Sequence, residues 1–259
     1  MGDGKRRRTA PFSRQVHHGA RHIVPGVVLL IVLLFASMLQ ANPGAARGSS
    51  EMTVAAVALS ETMKETLARR WPDTSHLILV RNSGPLPHNS TLHAFESKGG
   101  TWTLLFGPVP AMTGRNGFAG DGAKREGDGR TPVGVYPLGF VFGYPFAIGS
   151  AMPYRPMTPE DIWVDDPDSP DYNRLKKRGE TAARSFEDMV LADDRYKYGI
   201  VIEYNTDPVI PGRGSAIFLH IRKDETTPTA GCVAISEEDI LTLIHWLDPA
   251  KKPLIVIEK

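Results

Sequence analysis

The chain has 259 residues and a formal net charge of +1, with 41% hydrophobic and 23% charged residues. The basic excess sits in the first 22 residues, where Lys5, Arg6, Arg7, Arg8, Arg14 and Arg21 face Asp3 alone; the remainder is mildly acidic. No basic tract is left there for nucleic acid, and a single cysteine, Cys232, permits neither an internal disulfide nor a thiolate metal cluster.

A basic start followed by an apolar run at 23–39 has the layout of a secretory signal. Small residues for cleavage follow at Ala41, Gly44, Ala45 and Ala46, and the run also approaches the length of one membrane span. Residues 1–46 are therefore expected to be a cleaved signal peptide or a retained signal anchor. In either case the positive end stays in the cytoplasm and the rest is exported. His17, His18 and His22 fall inside this targeting segment and are not read as metal ligands. Residues 47–75, with Val57, Met63 and Leu67 loosely periodic, read as a linker or helical stalk.

From 76 to 259 the pattern changes to that of one folded domain. Residues 77–81, 91–96 and 101–109 alternate or run apolar between Gly and Pro, and read as strands. The Gly-, Arg- and Asp-rich stretch 114–129 matches neither a dinucleotide fingerprint nor a Walker segment and reads as a polar loop. Residues 140–198 carry Pro145, Pro153, Pro156, Pro159, Pro167 and Pro170 interleaved with aromatics. So long an irregular stretch predicts an insertion, with a short helix at 184–195. It is either a lid that puts Trp163, Asp165 and Asp166 near a ligand, or an aromatic flap that only packs. Strands are expected again at 199–204 and 253–258. With no alternation of parallel strands and helices, the domain should be mostly β, a single mixed sheet curled into a sandwich or barrel.

The stretch 215–236, SAIFLHIRKDETTPTAGCVAIS, organises the rest. Residues 216–221 form a strand-type apolar run in which Ile217, Leu219 and Ile221 share one face, and Phe218, His220 and Arg222 the other. The aliphatic set is the natural core face, so His220 and Arg222 are expected to look outward together. After a polar connection, Gly231 and Cys232 precede Ser236, a helix N-cap with Asp239 three residues on, and then Ile240, Leu243, Ile244 and Leu247 at helical spacing. This places the cysteine on a tight connection between strand and helix, within reach of a histidine. An imidazole can take the proton of a thiol whose ordinary pKa is about 8.5. A neighbouring glycine lets a substrate carbonyl approach backbone N–H groups that hold an oxyanion. The plain alternative is a buried hydrophobic cysteine beside a structural histidine.

The pattern His220 … Gly231-Cys232-Val233 resembles the signature of the YkuD-type L,D-transpeptidases of bacterial cell walls, and GDGRTPVGVY at 127–136 resembles that family's Thr-Pro-x-Gly-x-Phe/Tyr segment. The resemblance covers roughly 77–258 and is nearest to a subgroup with a Thr-Ala-Gly-Cys-Val-Ala segment. Ala230 and Ala234 stand where the family has a histidine and an arginine, and Arg222 is a candidate substitute for the latter. The resemblance implies an L,D-transpeptidase domain with a helix after the nucleophile, in which Cys232 is nucleophile and His220 general base. Gly231 and Cys232 N–H groups would form the oxyanion site. It implies acyl transfer on peptidoglycan stem peptides in the bacterial envelope, with no metal or other cofactor and no membrane contact beyond an uncleaved N-terminal segment. Hydrolysis of the same thioester (an L,D-carboxypeptidase or cysteine amidase) and a wall-binding module without turnover remain the alternatives.

Overall fold

The computed structural model describes residues 58–259; the basic and apolar N-terminal segment lies outside them. One helix precedes the sheet, α1 (Glu61–Arg70). It is followed by β1 (His76–Asn82), β2 (Asn89–Lys98), β3 (Thr101–Met112), β4 (Phe118–Ala119), β5 (Thr131–Pro132) and β6 (Gly134–Gly143). Next come β7 (Tyr154–Pro156), β8 (Asp161–Val164), β9 (Leu175–Lys177) and β10 (Phe186–Asp188). The chain ends with β11 (Tyr198–Ile202), β12 (Phe218–Ile221), β13 (Val233–Ile235), α2 (Glu237–Trp246) and β14 (Leu254–Glu258).

The strands form a mixed sheet in the order β11-β12-β13-β3-β2-β1-β14-β6-β7, and a further pairing of β11 with β6 closes it. The domain is thus mostly β, a curled and closed mixed sheet with a helix after the last of its central strands. Closure leaves no long open edge, which is how such sheets avoid pairing with other chains. The pairs β1/β14, β12/β13 and β6/β7 are parallel; the other pairings within this sheet are antiparallel.

Strand alternation sorts the core into layers. Ile78 and Val80 of β1, Ile255 and Ile257 of β14, Leu219 of β12 and Val233 and Ile235 of β13 point to one interior, which α2 covers with Ile240, Leu243 and Ile244. The opposite faces of β1 and β14 carry Leu77, Leu79, Leu254 and Val256, packed with Leu67 of α1. Helix α1 begins at Ser60, whose Oγ accepts from Met63 N, so the N-cap is of the ordinary type. Full burial of an aliphatic side chain such as Leu67 contributes about 1.5–3 kcal/mol, and this docks α1 on the sheet.

The third cluster is the one the site needs. Phe218 of β12 and Cys232 pack with Phe142 of β6 and with Trp163, Met189 and Tyr196, all four from residues 140–198, the stretch read as an insertion. Within that stretch β10, β8 and β9 form a separate small antiparallel sheet. The helix expected at 184–195 is instead strand β10 followed by turns. Pairing of Phe186, Glu187 and Asp188 with Val164, Trp163 and Ile162 overrides its helical appearance. The outward face of β12 is likewise not exposed: the insertion covers it, and His220 is buried.

Candidate active site

Cys232 directly precedes β13, so a three-residue strand stands between it and α2, where the sequence suggested a plain turn. β13 runs parallel to β12 with Ala234 opposite His220. The histidine is thus on β12, and the cysteine stands at the entry to β13, the strand hydrogen-bonded beside it. The helix that follows caps on Ser236, whose Oγ accepts from Asp239 N at 3.1 Å.

The turn before Cys232 is fixed by two threonines. Thr229 Oγ1 donates to the Cys232 carbonyl at 2.7 Å and accepts from Gly231 N at 3.1 Å. Thr131, the fully buried first residue of the Thr-Pro segment, donates to the same carbonyl at 3.4 Å and accepts from Gly114 N at 2.8 Å. The two motifs read separately in the sequence thus meet at one carbonyl. Gly231 has φ +153°, and a Cβ there would lie 2.9 Å from the Arg130 carbonyl, so the close crossing of these loops requires glycine.

His220, 4% exposed, donates from Nδ1 to the Ile221 carbonyl at 2.8 Å. A carbonyl only accepts, so Nδ1 carries the proton and Nε2 of the neutral ring is left as the acceptor. The Tyr196 ring meets the imidazole edge-on, with centroids 5.2 Å apart. Burial lowers the His220 pKa to about 4, with the Arg195 guanidinium adding to the fall and the Ile221 hydrogen bond opposing it.

The Cys232 thiol donates to the Ala216 carbonyl at 3.2 Å and accepts from Phe218 N at 3.4 Å. Burial pushes it up to about 12, and the Glu187 carboxylate adds to the rise, against Phe218 N–H, Lys124 and Arg195. Both shifts oppose an ion pair. The resting state is thiol plus neutral imidazole, with the thiol parked on a carbonyl.

Cys232 and His220 open on one cavity of about 540 Å³. Its floor includes Gly231, Thr229 and Ala216. Arg115, Lys124 and Glu126 come from the polar loop 114–129, and Asp165, Glu187, Arg195 and Tyr196 from the insertion. The polar loop is therefore a wall of the site, held by Lys124 Nζ on Asp128 at 2.6 Å and by Ser215 Oγ on Glu126 at 2.7 Å. Sequence reading passed over Lys124, Glu126, Glu187 and Tyr196. Lys124 and Glu126 left only the charge of a loop that flanks the Thr-Pro segment at 127–136; Glu187 and Tyr196 left no signal.

The remaining expected site residues are placed unequally. Asp165 lines the cavity and accepts from Ser185 Oγ. Trp163 does not line it: the ring packs edge-on against Phe218 at 5.0 Å, and its Nε1 donates to Asn173 Oδ1 at 2.9 Å. Asp166 is buried and accepts from the backbone N–H groups of Arg184 and Asp168, a loop-ordering role. Arg222 turns away, donating to the Pro110 carbonyl at 3.1 Å beside Glu225. Its shared face with His220 fails because β12 ends at Ile221. Of the cavity cations, Lys124 pairs with Asp128 and Arg195 with Asp193, and no ion-pair partner of Arg115 is found among the described residues.

A search of curated proteins found no match. Among solved structures the chain is similar to the helical cell shape determining protein Pgp2 from Campylobacter jejuni, at 17% identity and a TM-score of 0.38. That similarity covers 71% of this chain and 48% of that one, so the chain spans about half the length of the protein it matches. A scan against family profiles matches residues 77–256 to YkuD, the L,D-transpeptidase catalytic domain. The match runs from β1 into β14 and contains the Thr131 segment, His220 and Cys232, and the chain belongs to the L,D-transpeptidase catalytic domain family.

Proposed function

We propose that this protein is a cysteine-dependent acyltransferase acting on peptidoglycan stem peptides, with Cys232 as nucleophile and His220 as general base. The observation that carries the reading is the shared cavity, lined both by the single cysteine of the chain, at the entry to β13, and by an imidazole with a free Nε2 on the adjacent β12. The thiol proton passes to His220 Nε2 as sulfur attacks the carbonyl of an L-D peptide bond. The C–N bond breaks, and the departing D-amino acid takes the proton from His220. An amine of a second stem then attacks the thioester and restores the thiol. Backbone N–H groups at Gly231 and Cys232 are assigned to the developing oxyanion; Gly231 N would exchange its Thr229 partner for it. Among cavity residues Arg115 takes the place first assigned to Arg222, as the cation for a substrate carboxylate.

The family is one of cell-wall enzymes, and the N-terminal sequence has the layout of an export signal, so the domain is assigned to the extracytoplasmic side. No helix among the described residues is long and apolar enough to cross a membrane.

The test is incubation of the protein with a disaccharide-tetrapeptide, followed by intact-protein mass spectrometry and analysis of the products. The expected result is an adduct of the disaccharide-tripeptide acyl mass on Cys232, together with dimeric muropeptide. Disaccharide-tripeptide instead of dimer would mean that water resolves the thioester. Turnover by Cys232→Ala would end the cysteine mechanism, and a folded protein with neither adduct nor product would favour wall binding without turnover.

A further inference from the structure

The insertion does more than cover β12. Tyr196 Oη donates to Glu187 Oε1 at 2.5 Å, and the same Tyr196 ring lies edge-on to His220 at 5.2 Å and to Phe218 at 5.7 Å. Glu187 is the middle residue of β10, held opposite Trp163 of β8, and Trp163 is anchored through Asn173 to Ala216 N. Glu187, Tyr196, His220 and Cys232 all line the one cavity. A carboxyl on a strand of the lid is thereby connected, through one phenol, to the imidazole of the pair.

We propose that Glu187 is a positioning residue of this site, a lid carboxyl that fixes the His220 ring through Tyr196 and sets the charge against which Cys232 ionises. The inference rests on the cysteine-histidine reading above and adds to it a control by the insertion. The groups around Glu187 are Tyr196 and Arg195 before β11, Asp165 after β8, Glu126 from the polar loop, and Cys232 and His220 from the sheet. Burial raises the Glu187 carboxyl to about 7, with Asp165 and Glu126 adding to the rise, and Tyr196 and Arg195 opposing it. Near neutrality the carboxyl is half ionised, and each proton it loses makes the adjacent thiolate harder to form. A ligand ammonium or a proton on Glu187 would release that restraint.

The experiment is the rate of Cys232 carbamidomethylation by iodoacetamide against pH, read by intact mass on the full chain, where the single cysteine makes the signal unambiguous. In wild type the rise of the rate with pH should flatten near pH 7. Glu187→Gln keeps the volume and an acceptor for Tyr196 but removes the charge. It should abolish the flattening and alkylate about tenfold faster above pH 8, the equivalent of about one pKa unit in the thiol, while matching wild type below pH 6. Tyr196→Phe should keep the flattening and move it to higher pH, because the hydrogen bond favouring the carboxylate is gone. Superimposable profiles for wild type and both variants would overturn the proposal. The outcome is separable from the functional reading: turnover by Cys232→Ala sinks that reading, whereas unchanged profiles with turnover still dependent on Cys232 sink only the role of Glu187.

Discussion

Cys232 and His220 are both held neutral by burial, and this sets how the thiol must behave. A cysteine paired as thiolate with imidazolium alkylates quickly at neutral pH. Here the thiol lies near 12 and the imidazole near 4, with the thiol proton directed at the Ala216 carbonyl. Iodoacetamide should therefore react slowly with Cys232 at pH 7 and progressively faster toward pH 11. A reaction already at its full rate at pH 6 would contradict the neutral resting state. In the mechanism proposed above, proton transfer to Nε2 would accompany attack on a bound carbonyl, once the thiol has turned off Ala216. Both residues were legible in the sequence because a strand run, a glycine and the only cysteine lie within one short stretch. Arg222 was misplaced for a physical reason: alternation of faces holds only while the strand continues, and β12 stops one residue short of it.

At the scale of elements, Asn173 ties residues 140–198 to Ala216 at the entry to β12, and Thr131 with Thr229 ties the turn before Cys232, each satisfying more than one polar group. Asn173 Oδ1 accepts from Trp163 Nε1 and Ala216 N, and its Nδ2 donates to the Tyr204 and Asn205 carbonyls. Asn173→Ala leaves these groups without partners, at a cost of about 1–3 kcal/mol for a stranded buried group. We expect a lower urea midpoint and faster Cys232 alkylation, since Ala216, which holds the thiol, loses its anchor. Thr131→Val keeps the shape but strands Gly114 N and removes a donor to the Cys232 carbonyl. A loss of about 1–2 kcal/mol is expected, with a drop in turnover larger than the stability change explains, because the turn behind the nucleophile is loosened. Chemical denaturation and single-turnover assays on the same preparation separate the two effects. β1 and β14 were readable because each buries a face of aliphatic residues at period two; β6 was missed, since its glycines and Pro137 interrupt the pattern and its end lies in the stretch read as an insertion. β8, β9, β10 and β13 were not readable either, since three or four residues carry too little periodicity and these strands form by pairing with partners distant in sequence.

For the molecule as a whole, the buried titrating groups pull stability in opposite directions with pH. Below its unfolded value near 6.5 the unfolded chain protonates His220 more readily than the folded one, whose pKa is about 4. Stability from this group is therefore lost as pH falls from about 6.5 to 4. His76 and His93, also lowered by burial, act with the same sign. Glu187 acts oppositely: its folded pKa of about 7 lies above the ordinary 4.5, so the folded state holds the proton and stability is lost as pH rises through that window. Each of the two larger shifts amounts to roughly 3 kcal/mol when fully expressed. The overlap flattens the wild-type curve between about pH 4.5 and 6.5. Glu187→Gln should uncover the histidines, so that its stability relative to wild type climbs with pH across this window. His220→Gln should do the reverse, gaining on wild type as pH falls. Unfolding free energies measured at half-unit steps from pH 4 to 8 decide it, and two difference curves of the same sign would contradict the opposed burial of the two groups. That balance could not be read from the sequence, where Glu187 and His220 are 33 residues apart. It arises only when the small sheet of residues 140–198 lies beside β12, which brings a carboxyl from one and an imidazole from the other to the same cavity.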